Sequence, residues 1–119
     1  VEAMLFRLPV SDRGDIIKEL LDSRGLLIGS STINNGVLAT VAPFLEELQG
    51  LRPVNKAAAA FGSYGWGGGA VKTIEDKLQK AGIKIIAPAM TVNWVPDKNE
   101  LQKCFEFGRE FARKMAETS

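Results

Sequence analysis

Two short segments, Gly25-Leu-Leu-Ile-Gly29 and Ala57-Ala-Ala-Ala-Phe61, contain no polar side chain. A strand with one wet face alternates apolar and polar residues, so a strand without that alternation must be covered on both faces. Each segment leads into a loop and then into residues at helical spacing. After the first come Val41, Phe44, Leu45 and Leu48; after the second come Val71, Ile74, Leu78 and Ala81. Buried strands alternating with amphipathic helices fold, through right-handed crossovers, into a parallel sheet flanked by helices. The expected architecture is an α/β protein, a three-layer α/β/α sandwich with a parallel sheet, formed by residues 1–119 as one domain.

The flanking signals predict four strand–helix units. Val1–Leu8 reads as a strand ended by Pro9. Ser11 or Asp12 caps a helix whose apolar face is Ile16, Ile17, Leu20 and Leu21, and Gly25 stops it. Pro43 belongs in a first helical turn, so the next helix starts near Thr40. Ala57–Phe61 has helical propensity, but its length and the Gly-Ser-Tyr-Gly that follows argue for a central strand between closely packed helices. A helix over 69–81 is closed by Gly82, and a strand over Ile83–Ala87 is extended by Met90–Val92. Asp97 and Glu100 form a capping box for a last helix with Leu101, Cys104, Phe105, Gly108, Phe111 and Ala112 on its apolar face. That placement reads Cys104 as a core residue.

Composition removes several kinds of chemistry. The formal net charge is +1 and no basic stripe is interleaved with aromatics, so nucleic acid and anionic membrane are not expected partners. There is one cysteine and no histidine. An internal disulfide is impossible, and so is a Ser–His or Cys–His nucleophile pair. A transition-metal site made by this chain alone is not expected, and no pair of carboxylates converges for acid–base catalysis. No apolar run approaches the roughly 20 residues of a membrane span. A cytoplasmic location is the expectation.

What remains is a pair of loops without charge. From Gly25 to Leu45 no residue carries a charge at neutral pH, and the same holds from Ala57 to Val71. The first loop, Ser30-Ser-Thr-Ile-Asn-Asn-Gly36, offers hydroxyls, carboxamides and backbone amides. The second, Gly62-Ser-Tyr-Gly-Trp-Gly-Gly-Gly69, sets two aromatics among glycines, so rings can stack on a flat ligand while backbone N–H groups approach it. It matches neither a dinucleotide fingerprint nor a Walker loop. Loops at the carboxyl edge of an open parallel sheet are where ligands bind, and this pair suits a flat ring with hydrogen-bonding edges. Trp94, in Thr91-Val-Asn-Trp-Val-Pro96, either covers such a ligand or packs beneath the last helix. Turn-forming connections with half-buried aromatics are the plainer reading of the same residues.

Gly29-Ser-Ser-Thr-Ile-Asn-Asn-Gly36 and Ala60-Phe-Gly-Ser-Tyr-Gly-Trp-Gly-Gly-Gly-Ala70 resemble the two ring-binding loops in the flavodoxin-like domain of flavodiiron proteins (A-type flavoproteins), and the tail from Val95 to Arg109 resembles the end of that domain. The resemblance implies noncovalent FMN at the sheet's carboxyl edge. Ser30, Ser31, Thr32, Ile33, Asn34 and Asn35 would meet one side of its ring, and Gly62, Ser63, Tyr64, Gly65, Trp66 and Gly67 the other. It further implies electron transfer from a rubredoxin-like donor to a di-iron domain, not contained in this chain, that reduces O2 or NO. The alternative is a non-enzymatic flavodoxin-like module, free of FMN, that binds another planar ligand or a protein.

Two departures from the family pattern stand out. Ser31 occupies a place where the family usually has proline. Nothing here matches the first strand, the Ser/Thr-rich phosphate loop and the first helix, so the expectation is a partial domain whose Val1 aligns with the family's second strand. The absent strand would lie mid-sheet. The strands then either pair directly in the order 1-2-3-4, or two chains fill each other's gap as a homodimer.

Overall fold

The computed structural model describes residues 3–8, 13–31, 41–64, 69–93 and 97–117. Its elements are α1 (Arg13–Asp22), β1 (Gly25–Ser31), α2 (Ala42–Leu51), β2 (Ala57–Tyr64), α3 (Ala70–Lys80), β3 (Lys84–Ile85), β4 (Met90–Asn93) and α4 (Lys98–Glu117). β2 is the centre of the sheet. β1 runs parallel along one of its edges, from Gly25 opposite Ala57 to Ser31 opposite Ser63. β3 and β4 share the other edge, Lys84 opposite Ala57 and Met90 opposite Phe61, again parallel.

The four alanines of β2 explain how the layers close. Ala58 and Ala60 join Ile28 of β1 in a core with α1, α2 and α3, through Ile16, Leu20, Phe44, Leu45, Leu48, Ile74 and Leu78. Ala59 faces the opposite way and meets Ala87 and Phe111 of α4. The methyl groups keep the central strand thin, so helices approach both of its faces. The result is the expected three-layer sandwich, with α1–α3 on one face and α4 on the other.

Local chemistry fixes the ends of the elements. Asp97 and Glu100 form the expected capping box: the Glu100 N–H donates to Asp97 Oδ1 at 2.8 Å, and the Asp97 N–H to Glu100 Oε1 at 3.4 Å. Gly82 closes α3 in the left-handed region at φ 81°, with the Ile83 N–H returning to the Leu78 carbonyl at 3.0 Å. Lys56 Nζ donates to the Leu21 carbonyl at 3.0 Å and also to that of Ser23, which ties the end of α1 to the start of β2. Pro43 lies in the first turn of α2, as expected, with Val41 at the N-cap, and the helix runs on to Leu51.

Other expectations are corrected. Residues 3–8 form no strand, although Phe6 and Leu8 pack partly against the core. Apolar side chains suffice for that packing, but a strand also needs a neighbour for its N–H and C=O groups. Direct pairing in the order 1-2-3-4 is therefore not formed, and among the described residues β1 has a strand on only one edge. The last strand is split at Ile86–Ala89, which contains Pro88, a residue with no N–H to give to a ladder. Gly25 does not stop α1, which ends at Asp22, but opens β1, where an added Cβ would lie 2.4 Å from Met115 Sδ of α4. Leu21 lies on the outside of α1, 56% exposed. The cap assigned to Ser11 or Asp12 falls outside the described residues.

Cys104 is exposed, against the expectation of a core position. α4 is 20 residues long, and its Phe107, Phe111 and Met115 pack in the core on this face of the sheet. Its amino-terminal half stands clear of cover, with Leu101 and Phe105 also exposed.

Candidate functional site

Parallel strands deliver all their carboxyl ends to one edge, and here that edge collects the stems of the charge-free loops. Ser30 and Ser31 end β1, Gly62, Ser63 and Tyr64 end β2, and Thr91, Val92 and Asn93 end β4. Register brings them together: Ser30 lies opposite Gly62, Ser31 opposite Ser63, and Tyr64 opposite Asn93. The two stems therefore leave the sheet from adjacent strands at matching heights, about 4.8 Å apart.

Both strands run further than the sequence suggested. β1 ends at Ser31 and β2 at Tyr64, so Ser30, Ser31, Gly62, Ser63 and Tyr64 are strand residues at the rim. The strands pair without a break to Ser31 and Ser63, and each residue's ladder hydrogen bonds hold the next in place. The remaining site residues expected from sequence, Thr32, Ile33, Asn34, Asn35, Gly65, Trp66 and Gly67, lie outside the described residues, as does Trp94.

At the rim, Ser30 is buried, 8% exposed, and the strands approach closely beside it. A Cβ on Gly62 would lie 2.6 Å from the Ser30 carbonyl oxygen and 3.4 Å from Val71 Cγ1 of α3. Beneath the rim, on the face that α4 covers, is a cavity of about 330 Å³. Gly29, Phe61, Met90 and Val92 line it from the sheet, Cys104 from α4, and Ser30, Gly62 and Ser63 at its top. No charged side chain lines it. Phe61 was not singled out as a site residue from the sequence. Its signal is present there once the strands are aligned, because it falls opposite a glycine, Gly29.

Neutral hydroxyls and glycines at an apolar rim suit an uncharged planar ring and give little to hold a phosphate. No group of three or more metal-ligating side chains occurs among the described residues, and none of the described helices is long and apolar enough to cross a membrane.

Comparison with known proteins decides the family. Residues 1–108 match the profile of the family described as Flavodoxin. The chain belongs to the flavodoxin family. This flavodoxin-family chain is 55% identical over 117 residues to a nitric oxide reductase of Moorella thermoacetica, covering 98% of the chain and 29% of that protein. In three dimensions it resembles the rubredoxin oxygen:oxidoreductase of the anaerobe Desulfovibrio gigas, with a TM-score of 0.80 and 32% identity over 92% of this chain and 28% of the other. A flavodoxin from the domain Archaea matches equally well, with a TM-score of 0.80 and 30% identity over 92% of this chain and 74% of that one. The similarity thus falls on the flavodoxin-like part of flavodiiron and nitric oxide reductases, and the chain spans less than a third of the length of the Moorella thermoacetica protein.

Proposed function

We propose that this chain is the FMN-binding electron-transfer domain of a flavodiiron-type oxygen or nitric oxide reductase, working in the cytoplasm. FMN supplies one- and two-electron redox chemistry when bound. The chain's own work is to bind and orient the ring and to keep charge away from it. Ser30 to Asn35 would hold one side of the ring and Gly62 to Gly67 the other. The hydroxyls of Ser30, Ser31 and Ser63 can donate to ring carbonyls or accept from a ring N–H. An apolar, uncharged surround excludes water from the ring and gives no extra stabilisation to negative charge on it. Electrons would arrive from a rubredoxin-like donor and pass to a di-iron domain elsewhere in the protein.

The observation that carries this reading is the juxtaposition of Ser30–Ser31 and Gly62–Ser63 on adjacent strands at one rim. It is supported by the 55% identity to a nitric oxide reductase. The test is titration of the chain with FMN while flavin fluorescence is followed. Quenching that saturates in the micromolar range is expected, with Trp66→Ala weakening it. Unchanged fluorescence at high micromolar FMN contradicts the reading.

The exposed apolar side chains of Leu27, Phe61, Leu101 and Phe105 favour a second reading, a module that uses this face to hold a protein partner. A second copy of the chain, added along the open edge of β1, is one form of it. Sedimentation equilibrium separates the cases: a dimer that Leu27→Glu dissolves supports self-pairing, and a monomer at all concentrations removes it.

A further inference from the structure

Gly29 and Phe61 face each other across β1 and β2, one residue before the two loop stems begin. An alanine Cβ built at Gly29 would lie 2.0 Å from Phe61 Cε2, 2.2 Å from Cζ and 2.5 Å from Cδ2. The Phe61 ring therefore does not stand straight off β2. It leans over β1 and fills the volume that a side chain on Gly29 would take. One position further on, the arrangement inverts. The glycine is now on β2, at Gly62, and the group pressed against it is the Ser30 carbonyl of β1. Alternation puts these two contacts on opposite faces of the sheet. Val71 of α3 backs the second contact, and the first forms part of the wall of the 330 Å³ cavity.

From this geometry we infer that Gly29 and Phe61 form a steric lock that sets the spacing of the two loop stems, making both positioning residues for the flavin ring. The inference rests on the proposed FMN site and adds to it two residues that lie outside the loops assigned to the ring. A ring lying across a bare backbone resists sliding of β1 against β2, because that motion drives the ring into the chain, and separation strips the ring of its contact with Gly29. The loops that would meet the flavin leave the strands after Ser31 and Tyr64, so an error at the lock is carried into both.

A double-mutant cycle on the 119-residue chain tests this, with FMN affinity and amide hydrogen exchange of Ser31 and Ser63 as readouts. Gly29→Ala is expected to weaken FMN binding about tenfold and to speed exchange at both amides, because the new methyl displaces the ring. Phe61→Ala is expected to give a smaller loss, about threefold, by removing the clamp. The double variant is expected to match Phe61→Ala alone, since the methyl then has room. If the two losses multiply in the double variant, there is no lock. If Gly29→Ala fails to fold, the double variant is expected to fold and melt with Phe61→Ala; its failure to fold overturns the inference. Leu48→Ala, in the other core, should lower global stability without changing FMN affinity, and parallel loss in that control also overturns it. A wild-type chain that does not quench FMN removes the functional reading and the flavin-positioning role with it, while coupling lost with FMN binding intact removes the lock alone.

Discussion

Alanine in place of Gly62 is expected to destabilise the protein, and alanine in place of Gly108 to stabilise it. Gly62 has ordinary negative-φ strand backbone, since the only described glycine with positive φ is Gly82. Its conformation would accept alanine, and the stiffer unfolded chain alone would add about 0.4–1 kcal/mol of stability. The contact decides otherwise. The new Cβ would sit 2.6 Å from the Ser30 carbonyl oxygen, a backbone atom. Carbon–oxygen contacts between strands lie at about 3.3–3.6 Å, so the two backbones would have to part by about 0.7–1.0 Å. Overpacking of this kind costs about 1–3 kcal/mol, leaving a net loss of about 1.3 kcal/mol at the midpoints once the unfolded-state gain is subtracted. Gly108 is inside α4 with nothing within 4 Å of an added Cβ, so alanine there is expected to stabilise by about 0.5–1 kcal/mol. Urea unfolding followed by far-ultraviolet circular dichroism measures both against wild type, with the slope m checked for constancy. Shifts of the same sign, or a Gly62→Ala protein as stable as wild type, would refute the close approach of the two stems.

Three further outcomes are expected. Leu48 is fully buried between α2 and the sheet, so Leu48→Ala should cost about 2–5 kcal/mol in urea unfolding, and a loss below 1 kcal/mol would contradict its packing. Cys104 is exposed, so a thiol reagent should modify it in the native protein at close to the rate of the unfolded chain, and Cys104→Ser should shift stability by no more than about 0.5 kcal/mol; protection from the reagent would contradict its placement. A hydrogen bond from Arg113 holds the exposed Glu110 carboxyl below its ordinary 4.5. A carboxyl with a lowered pKa in the folded state supports folding above about pH 4.5 and loses that support as pH falls through the lowered value. An NMR titration should place the Glu110 midpoint below 4.5 and raise it in Arg113→Ala; an unmoved midpoint would contradict the pairing.

The layer plan was legible because it rests on local signals. Uninterrupted apolar runs identified β1 and β2, the capping residues placed α4, and Gly82 marked the end of α3. What was not legible depends on partners distant in sequence. Ser30, Ser31, Gly62, Ser63 and Tyr64 look like loop by residue type, yet pairing between β1, β2 and β4 carries them as strand. Residues 3–8 are apolar except for Arg7, as a buried strand would be, but they pair with no described strand. Cys104, Leu101 and Phe105 sit on an apolar helical stripe. Such a stripe states which side chains favour burial, and it does not state whether anything covers them. For the site, the sequence indicated the loops and the structure added the reason their stems meet. Gly29 and Phe61 became visible only when the strands were set in register.

The central claim is that the rim where β1 and β2 end receives the flavin ring. Adding FMN to isotopically labelled chain and following the backbone amides by NMR tests it directly. The account predicts that the largest changes fall on Ser30, Ser31, Gly62, Ser63 and Tyr64 and fade towards Gly25 and Ala57 at the far end of the same strands. Changes concentrated on α2, on the outer surface of α4 or at the amino ends of the strands would contradict it.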